Sequence, residues 1–282
     1  MTAPLDLDLL KTYVAVCETG NFSHAAPRIG RSQSAISMQM QRLEQLVGRQ
    51  LLVRGPRTVE PNAPGSDFLI YARRLLRLSD EALASVGRPE ESGRVRLGVP
   101  DDYAASLLPP VLSRFGREHP RVTVELACEP SRQLVPAIEQ GRLDLAIVTR
   151  LPNQPMEVLR RENLVWVAAP DHAAWEEDPL PLALFDGCAA RTNLLDALSR
   201  AGRSYRCAYS SSSTLGLIAA VQAGLAVAGL ARCSVPPGLR IIGAAQGLPA
   251  LRDLELGLLG HPAQSAPAIL RLAQFLRREL AQ

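Results

Sequence analysis

The sequence predicts a small helical module followed by a larger α/β domain, and three observations carry that division. The first 85 or so positions show helical spacing of apolar residues, broken by one short basic hairpin. Past about position 93 the pattern becomes short aliphatic runs alternating with amphipathic helices. Between the two lies a stretch with Gly87, Pro89 and Gly93 that reads as a hinge. The length of 282 residues suits such a pair better than one domain.

Residues 6–18 read as a first helix, because Leu9, Leu10, Tyr13, Val14 and Cys17 recur every three or four positions and Gly20 ends the run. A second helix is expected to start at Ser23 as its cap, with Pro27 within the first turn and Ala25 and Ala26 small enough for close packing. Gly30 and Arg31 form a turn, and Ser32 caps a third helix running to about Val47. The apolar stripe of that helix is Ala35, Ile36, Met40, Leu43 and Leu46 or Val47. Its other face carries Gln33, Ser34, Ser37, Gln41 and Arg42.

Two short helices about four residues apart, with glycine in the turn, form a helix-turn-helix whose second helix enters the major groove by its N-terminal residues. Leu51–Val53 and Thr58–Glu60 flank Arg54 and Arg57, which suits a β-hairpin wing with a basic tip. Net charge is only +3, yet Phe22–Arg57 holds six arginines against the single acid Glu44, or +5. Such an excess matches a phosphate-neutralising surface as well as a merely solvated basic face.

Asn62 is placed to cap a long helix from about Ala63 to Val86. Phe68, Leu75 and Ala82 recur every seven residues, as do Leu69, Leu76 and Leu83, and Ala72, Ser79 and Val86. Adjacent apolar columns with this period call for a partner helix, so the helix reads as a dimerisation element, with packing onto its own chain as the alternative.

In the second part, Val95–Val99, Val122–Leu126 and Leu143–Val148 are strand candidates separated by helices at 103–118 and 132–140. This alternation predicts a parallel sheet covered on both faces. A second unit follows, with strands Leu164–Ala168, Tyr205–Tyr209, Ala226–Leu230 and Leu254–Leu259, helices near 191–201 and 214–223, and a last helix at 267–280.

Other classes are disfavoured. The start lacks a basic segment followed by a long apolar one, and no uncharged run is long enough to span a bilayer, so a cytoplasmic location without membrane contact is expected. Five cysteines without C-x-x-C spacing predict buried thiols rather than a disulfide framework or zinc site. The four histidines form no i, i+4 pair, and no nucleophile elbow, phosphate loop or H-E-x-x-H is present. No metal, cofactor or enzymatic activity is expected. The rivals, a solute-binding protein and a metabolic enzyme with an α/β domain, conflict with the basic N-terminal module and the absent catalytic constellation.

The stretches "YVAVCETGNFSHAAPRIGRSQSAISMQMQRLEQLVGRQLLVR", "YARRLL", "VRLGV", "GRLDLAIVT" and "AAVQAGLAVAGLA" resemble, in order and over nearly the whole chain, the LysR-type transcriptional regulators. "GVPDDYAASLLPPVLSRFGREHP" is similar to one subgroup, in which the first strand runs into Pro-Asp-Asp-Tyr. The resemblance implies a winged helix-turn-helix domain over 1–62, a dimerising linker helix over 63–87 and a hinge at 88–93. It also implies a periplasmic-binding-protein-like effector domain over 94–282, with lobe I at about 94–163 and 264–282 and lobe II at about 164–263. The implied partners are double-stranded operator DNA, a small-molecule effector between the lobes, and further copies of the chain as a homodimer or tetramer.

At the recognition-helix position, Ser32, Gln33, Ser34, Ser37, Gln41 and Arg42 are the expected DNA-facing residues, with Arg54 and Arg57 on the wing. Gln33 at the helix start can pair bidentately with adenine, whereas the serines suit phosphate. Met38 stands where many relatives carry a cation, which removes one possible phosphate contact. In the second domain, ligands of open α/β sheets sit at the carboxyl ends of strands. That rule selects Asp101, Asp102, Tyr103, Ser131 and Thr149 from one lobe and Ser210 and Ser212 from the other. Asp102 could alternatively cap the helix at 103–118. Two aspartates make a simple dicarboxylate less attractive than a neutral, aromatic or cationic effector.

Overall fold

The computed structural model describes residues 4–55, 58–85, 92–151, 154–186, 188–260 and 266–281, apart from the side chains of Arg77, Glu81, Ala84 and Ser85. They form two compact units, one of Met1–Glu90 with Gln140–Arg142, the other of Glu91–Glu139 and Leu143–Gln282.

The first unit is a bundle of α1 (Leu7–Thr19), α2 (Phe22–Arg28) and α3 (Gln33–Val47), a hairpin of β1 (Leu52–Arg54) and β2 (Val59–Pro61), and the long α4 (Ala63–Ser85). Asp6 caps α1 by accepting from the Asp8 amide at 2.9 Å. Asn21, not Ser23, caps α2: its Oδ1 accepts from the Ser23 amide at 2.7 Å. The helix therefore starts two residues earlier than the serine suggested, and Pro27 falls in its last turn rather than its first, where the missing amide helps end it. Gly30 follows at φ +65°, a left-handed turn that other residues adopt at a cost. Ser32 caps α3 through the Ala35 amide at 3.2 Å, as expected.

The core of this unit joins Leu9, Leu10, Tyr13 and Val16 of α1, Ala25 and Ala26 of α2, and Ile36, Met40 and Leu43 of α3. The first half of α4 belongs to it as well: Ala72 is buried and Phe68, Leu69 and Leu76 pack against the cluster. Tyr13 meets Phe68 edge-on at 5.5 Å, and its buried hydroxyl donates to the Gly65 carbonyl at 2.9 Å. Tyr71, Leu75, Leu78 and Leu83 of the same helix are exposed. Two of the seven-residue columns of α4 thus change role along the helix, packing on its own chain at Phe68, Leu69 and Leu76 and facing outward at Leu75 and Leu83, while Val86 and most of the hinge at 88–93 lie outside the described residues.

The second unit holds two sheets. The first has the order β4 (Arg121–Cys128), β3 (Ser92–Val99), β5 (Leu145–Thr149), β12 (Leu254–Gly260), β6 (Val158–Glu162). β3 runs parallel to β4 and β5, while β12 is antiparallel to β5 and β6. This corrects two expectations, for the sheet is mixed rather than parallel and Leu254–Gly260 belongs to lobe I instead of lobe II. Alternation along β5 explains how both faces are covered. Leu145 and Ile147 point toward α6 (Leu108–Glu118) and α10 (Pro267–Leu280), Ala146 and Val148 toward α7 (Ser131–Glu139).

The second sheet contains β10 (Ala228–Ala231), β7 (Leu164–Ala168) and β11 (Arg240–Ile242), antiparallel throughout. A parallel bridge between Leu182 and Val227 joins it to the pair β8 (Leu180–Phe185) and β9 (Tyr205–Ser211). α8 (Ala189–Ala201) covers one face with Leu194 and Leu198, and α9 (Thr214–Gln222) covers the other with Leu217 and Val221. Gly229 permits the close approach of α8, since a Cβ there would stand 2.3 Å from Leu194 Cδ1.

The chain crosses between lobes twice, at Asn163 and at about Arg252–Asp253. Asn163 Nδ2 donates to Asp253 Oδ1 at 2.8 Å, and buried Asn193 exchanges two hydrogen bonds with the Arg252 backbone. The crossovers are tied to each other and to lobe II.

Candidate nucleic-acid interface and interlobe cleft

On α3 the hydrophobic stripe is consumed by the core, which leaves Ser32, Gln33, Ser34, Gln41 and Arg42 exposed and Ser37 half-buried on the outer face. Ser32 Oγ also lies 3.0 Å from Ser34 Oγ, and Gln33 Oε1 accepts from Ser23 Oγ at 3.2 Å. The carbonyl end of the Gln33 amide is thus held by α2, and its NH2 end stays open to solvent. Met38 stands on the same helix at 68% exposure.

The basic excess of the sequence is partly spent inside the unit. Arg28 pairs with Glu18 at 2.8 Å and Arg31 with Asp8 at 2.7 Å, both partners lying on α1. The one acid of the stretch, Glu44, accepts from the Leu51 and Leu52 amides at 2.9 and 3.2 Å and so ties α3 to the wing. Arg54 lies 3.8 Å from Glu44 and stacks over Phe22 at 5.3 Å. Among the described residues, Arg42 and Arg49 form no ion pair. Arg57, expected at the wing tip, lies outside them.

The second site is the cleft between the two lobes, at the carboxyl ends of β3, β4, β5, β8 and β9, where the first turns of four helices converge: α5 (Asp101–Ser106), α7, α8 and α9. It encloses about 90 Å³. Of the residues selected from sequence, Asp101, Asp102, Tyr103, Ser131 and Thr149 all line it. Ser131 Oγ accepts from the Thr149 amide at 2.9 Å, and Thr149 Oγ1 lies 3.3 Å from the hydroxyl of Tyr103, which is 2% exposed. This chain of contacts fixes three strand ends relative to one another. Burial pushes the Tyr103 hydroxyl far above its usual range.

Asp102 is no helix cap. Pro100 precedes α5, and Asp101 and Asp102 fill its first turn. The expected helix at 103–118 is broken at Leu107 into α5 and α6, with Pro109 and Pro110 in the first turn of the latter. Burial pushes the Asp102 carboxyl up to about 6, and the neighbouring Tyr103 amide and the charge of Asp101 act less strongly.

Ser210 and Ser212 are absent from the lining. Ser210 Oγ donates to Asp186 Oδ1 at 2.7 Å, and Ser212 is exposed. Lobe II contributes Phe185, Cys188, Ala189, Thr214 and Leu217 instead. Cys188 caps α8, its sulfur accepting from the Arg191 amide at 3.4 Å. The serine run signalled the right loop, but the residue reaching the cleft is the first of the helix behind it. Nothing in the pattern marked Phe185 or Cys188.

The thiols correct another expectation: Cys128 and Cys207 are exposed, and Cys17, Cys188 and Cys233 are half-buried. Burial pushes Cys17 up to about 11 and raises Cys188 and Cys233, so these stay protonated at neutral pH. Among the described residues no group of His, Cys, Asp or Glu could hold a metal, and no helix is long and apolar enough to cross a membrane.

Comparison with known proteins agrees with this division. Residues 7–66 match the model of the bacterial regulatory helix-turn-helix protein, lysR family, and residues 88–281 match the LysR substrate binding domain. The HTH-type transcriptional regulator DgdR of Burkholderia cepacia is 43% identical over 279 residues, covering 98% of this chain and 95% of its own. PecT of Dickeya dadantii is 35% identical over 260 residues, covering 92% and 82%. Among solved structures, ArgP from Mycobacterium tuberculosis shares the fold at TM-score 0.72 and 21% identity, over 99% of this chain and 98% of its own. Full-length CbnR complexed with its target DNA does so at 0.63 and 22%, over 98% and 100%.

Proposed function

Because the chain belongs to the LysR family of DNA-binding transcriptional regulators, we propose that it reads its operator with the outer face of α3 and answers to a small ligand in the interlobe cleft. The observation that carries the DNA reading is the Ser32-capped start of α3. It presents Gln33 outward with its NH2 end uncommitted, beside a wing anchored through Glu44.

In this reading Gln33 contacts a base edge in the major groove. Ser32, Ser34 and Ser37 at the first turns, with Gln41, Arg42, Arg54 and Arg57, set the register on phosphates. Dimerisation uses the outward residues of α4, because exposed Tyr71, Leu75 and Leu78 form an apolar stripe on a helix whose other side is already packed. The dimer, its pairing into a tetramer and a cytoplasmic location are parts of the proposal, as is the placing of Pro100–Tyr103 as the mark of a subgroup.

The test is footprinting on genomic DNA, followed by quantitative binding to the protected site. Gln33→Ala is expected to lower the ratio of specific to non-specific affinity by about 1–3 kcal/mol, with the non-specific term unchanged. A footprint that survives with an unchanged ratio would remove Gln33 from base reading. Absence of any protected site at moderate salt would remove the reading as a whole.

A further inference from the structure

The chemistry of the cleft specifies a class of ligand. Asp101 and Asp102 stand on one wall, in the first turn of α5, and no cationic side chain is paired with either among the described residues. Arg132 lines the same cavity from the first turn of α7, and it too forms no ion pair there. Opposite charges that share a small cavity without pairing with each other leave room for a ligand to bridge them.

The backbone adds to the positive side. α7, α8 and α9 all start at the cleft, which directs the positive ends of three helices of nine or more residues into it. The first turn of α9, with Thr214 in the lining, carries no side-chain cap. Ser131 Oγ accepts from the Thr149 amide, so its own hydrogen is free to be donated. The remaining walls, Leu151, Phe185, Leu217 and Leu230 among them, are apolar.

We propose that the cleft binds a small α-amino acid with a short apolar side chain. Asp101 and Asp102 receive its ammonium group, Arg132 with the Ser131 and Thr214 hydroxyls receives its carboxylate, and the leucines and Phe185 enclose its side chain. The 90 Å³ of the cleft accommodates a ligand of this size. A dicarboxylate is rejected, because its second carboxylate would face two aspartates with no cation to offset them. This proposal rests on the reading of the cleft as the effector site and names the effector's class.

Calorimetry on the full chain tests it with three sets of probes. These are the amino acids glycine, alanine, valine and leucine, the same compounds without the amino group, and the same without the carboxyl group. At least one amino acid is expected to bind, and its two truncated counterparts to bind about tenfold or more weakly. Asp101→Asn, at an exposed position, and Arg132→Ala should each weaken the amino acid by about tenfold or more. Thermal melts establish that the variants fold.

Binding of a deaminated acid as tight as that of its amino acid, or an Asp101→Asn variant that keeps full affinity, overturns the proposal. If that acid's binding is then lost in Thr149→Val, the cleft reading survives. If no probe of any set binds at about 10 mM, the proposal fails. An operator affinity that no cell extract of small molecules shifts would then sink the cleft reading separately.

Discussion

At the scale of single residues, function rests on what each side chain has left over after the fold has used it. Gln33 keeps its NH2 end, Arg42 keeps its charge, and Glu44 keeps nothing, since it joins α3 to the wing. Met38 is 68% exposed and does no packing. Replacing it by lysine, Met38→Lys, is expected to leave stability within about 0.5 kcal/mol. It should steepen the dependence of log affinity on log salt by about one unit, read from titrations on non-specific DNA. An unchanged slope would mean that position 38 lies away from phosphate.

Asp102 carries a pH dependence. Burial holds its folded pKa at about 6, above the usual aspartate value of 3.8, so the folded chain binds the proton more tightly than the unfolded chain does. The stability this gives is fully present below about pH 4 and lost as pH rises through 6. The amount lost by pH 7 is up to about 3 kcal/mol. Asp102→Asn is therefore expected to melt near wild type at pH 4 and above it at pH 7, in ligand-free thermal scans. A constant difference across that range would show that Asp102 ionises freely. A charge kept in the cleft at this cost fits a residue held for binding.

At the scale of elements, α4 divides its labour by face. Phe68, Leu69, Ala72 and Leu76 pack on the helix-turn-helix core, while Leu78, at 60% exposure, makes no use of its apolar surface within the chain. Leu78→Glu is expected to preserve the melting of the N-terminal unit and to shift the full chain toward monomer in sedimentation. Operator affinity should drop in parallel, because two half-sites are then read independently. A dimer that persists would move the interface off α4. In the second unit, the aspartate inside the apolar run "GRLDLAIVT" turns out to be structural. Asp144, 2% exposed, accepts from the Arg96 amide at 2.7 Å and pairs with its guanidinium at 2.7 Å, which joins the start of β5 to β3. Without that pairing the buried charge would be costly.

At the scale of the whole molecule, regulation requires that ligand in the cleft and operator on α3 alter each other's affinity. The coupling is reciprocal, and it amounts to a factor of about 5–150 in proteins of this behaviour. Thr149→Val removes a hydroxyl that lines the cleft and touches Tyr103, far in sequence from α3. It is expected to lower ligand affinity while leaving ligand-free operator binding unchanged, and operator DNA should shift ligand affinity by the same factor as the converse. A factor of one in both calorimetry and operator titration would show that the two sites are not linked.

Much of this was legible along the chain. Helical spacing and the capping serine located α1 and α3, because those signals are local and set by backbone geometry within one or two turns. The same was true of Asp101, Asp102, Ser131 and Thr149, since the carboxyl end of a strand is visible wherever an aliphatic run stops. The rest depended on contacts remote in sequence. β6 was hidden by its charges, as Arg160 and Glu162 satisfy each other at 2.9 Å. β12 looked like part of the last unit, yet it crosses back to lie between β5 and β6. Phe185 and Thr214 enter the cleft only because the second sheet is docked where it is.

The sequence by itself determined the helix-turn-helix module with its long following helix, the polar face of α3 and the acids at the end of β3, since each follows from periodicity and capping within a few residues. Tertiary structure decided that the first sheet is mixed, that lobe II lines the cleft with Phe185, Cys188 and Thr214 rather than Ser210 and Ser212, and that Asp101, Asp102 and Arg132 share one cavity without an ion pair among the described residues. The physical reason is that strand pairing and charge pairing are settled between segments that can lie more than a hundred residues apart, where the energy of a contact depends on which chain segments fold beside it.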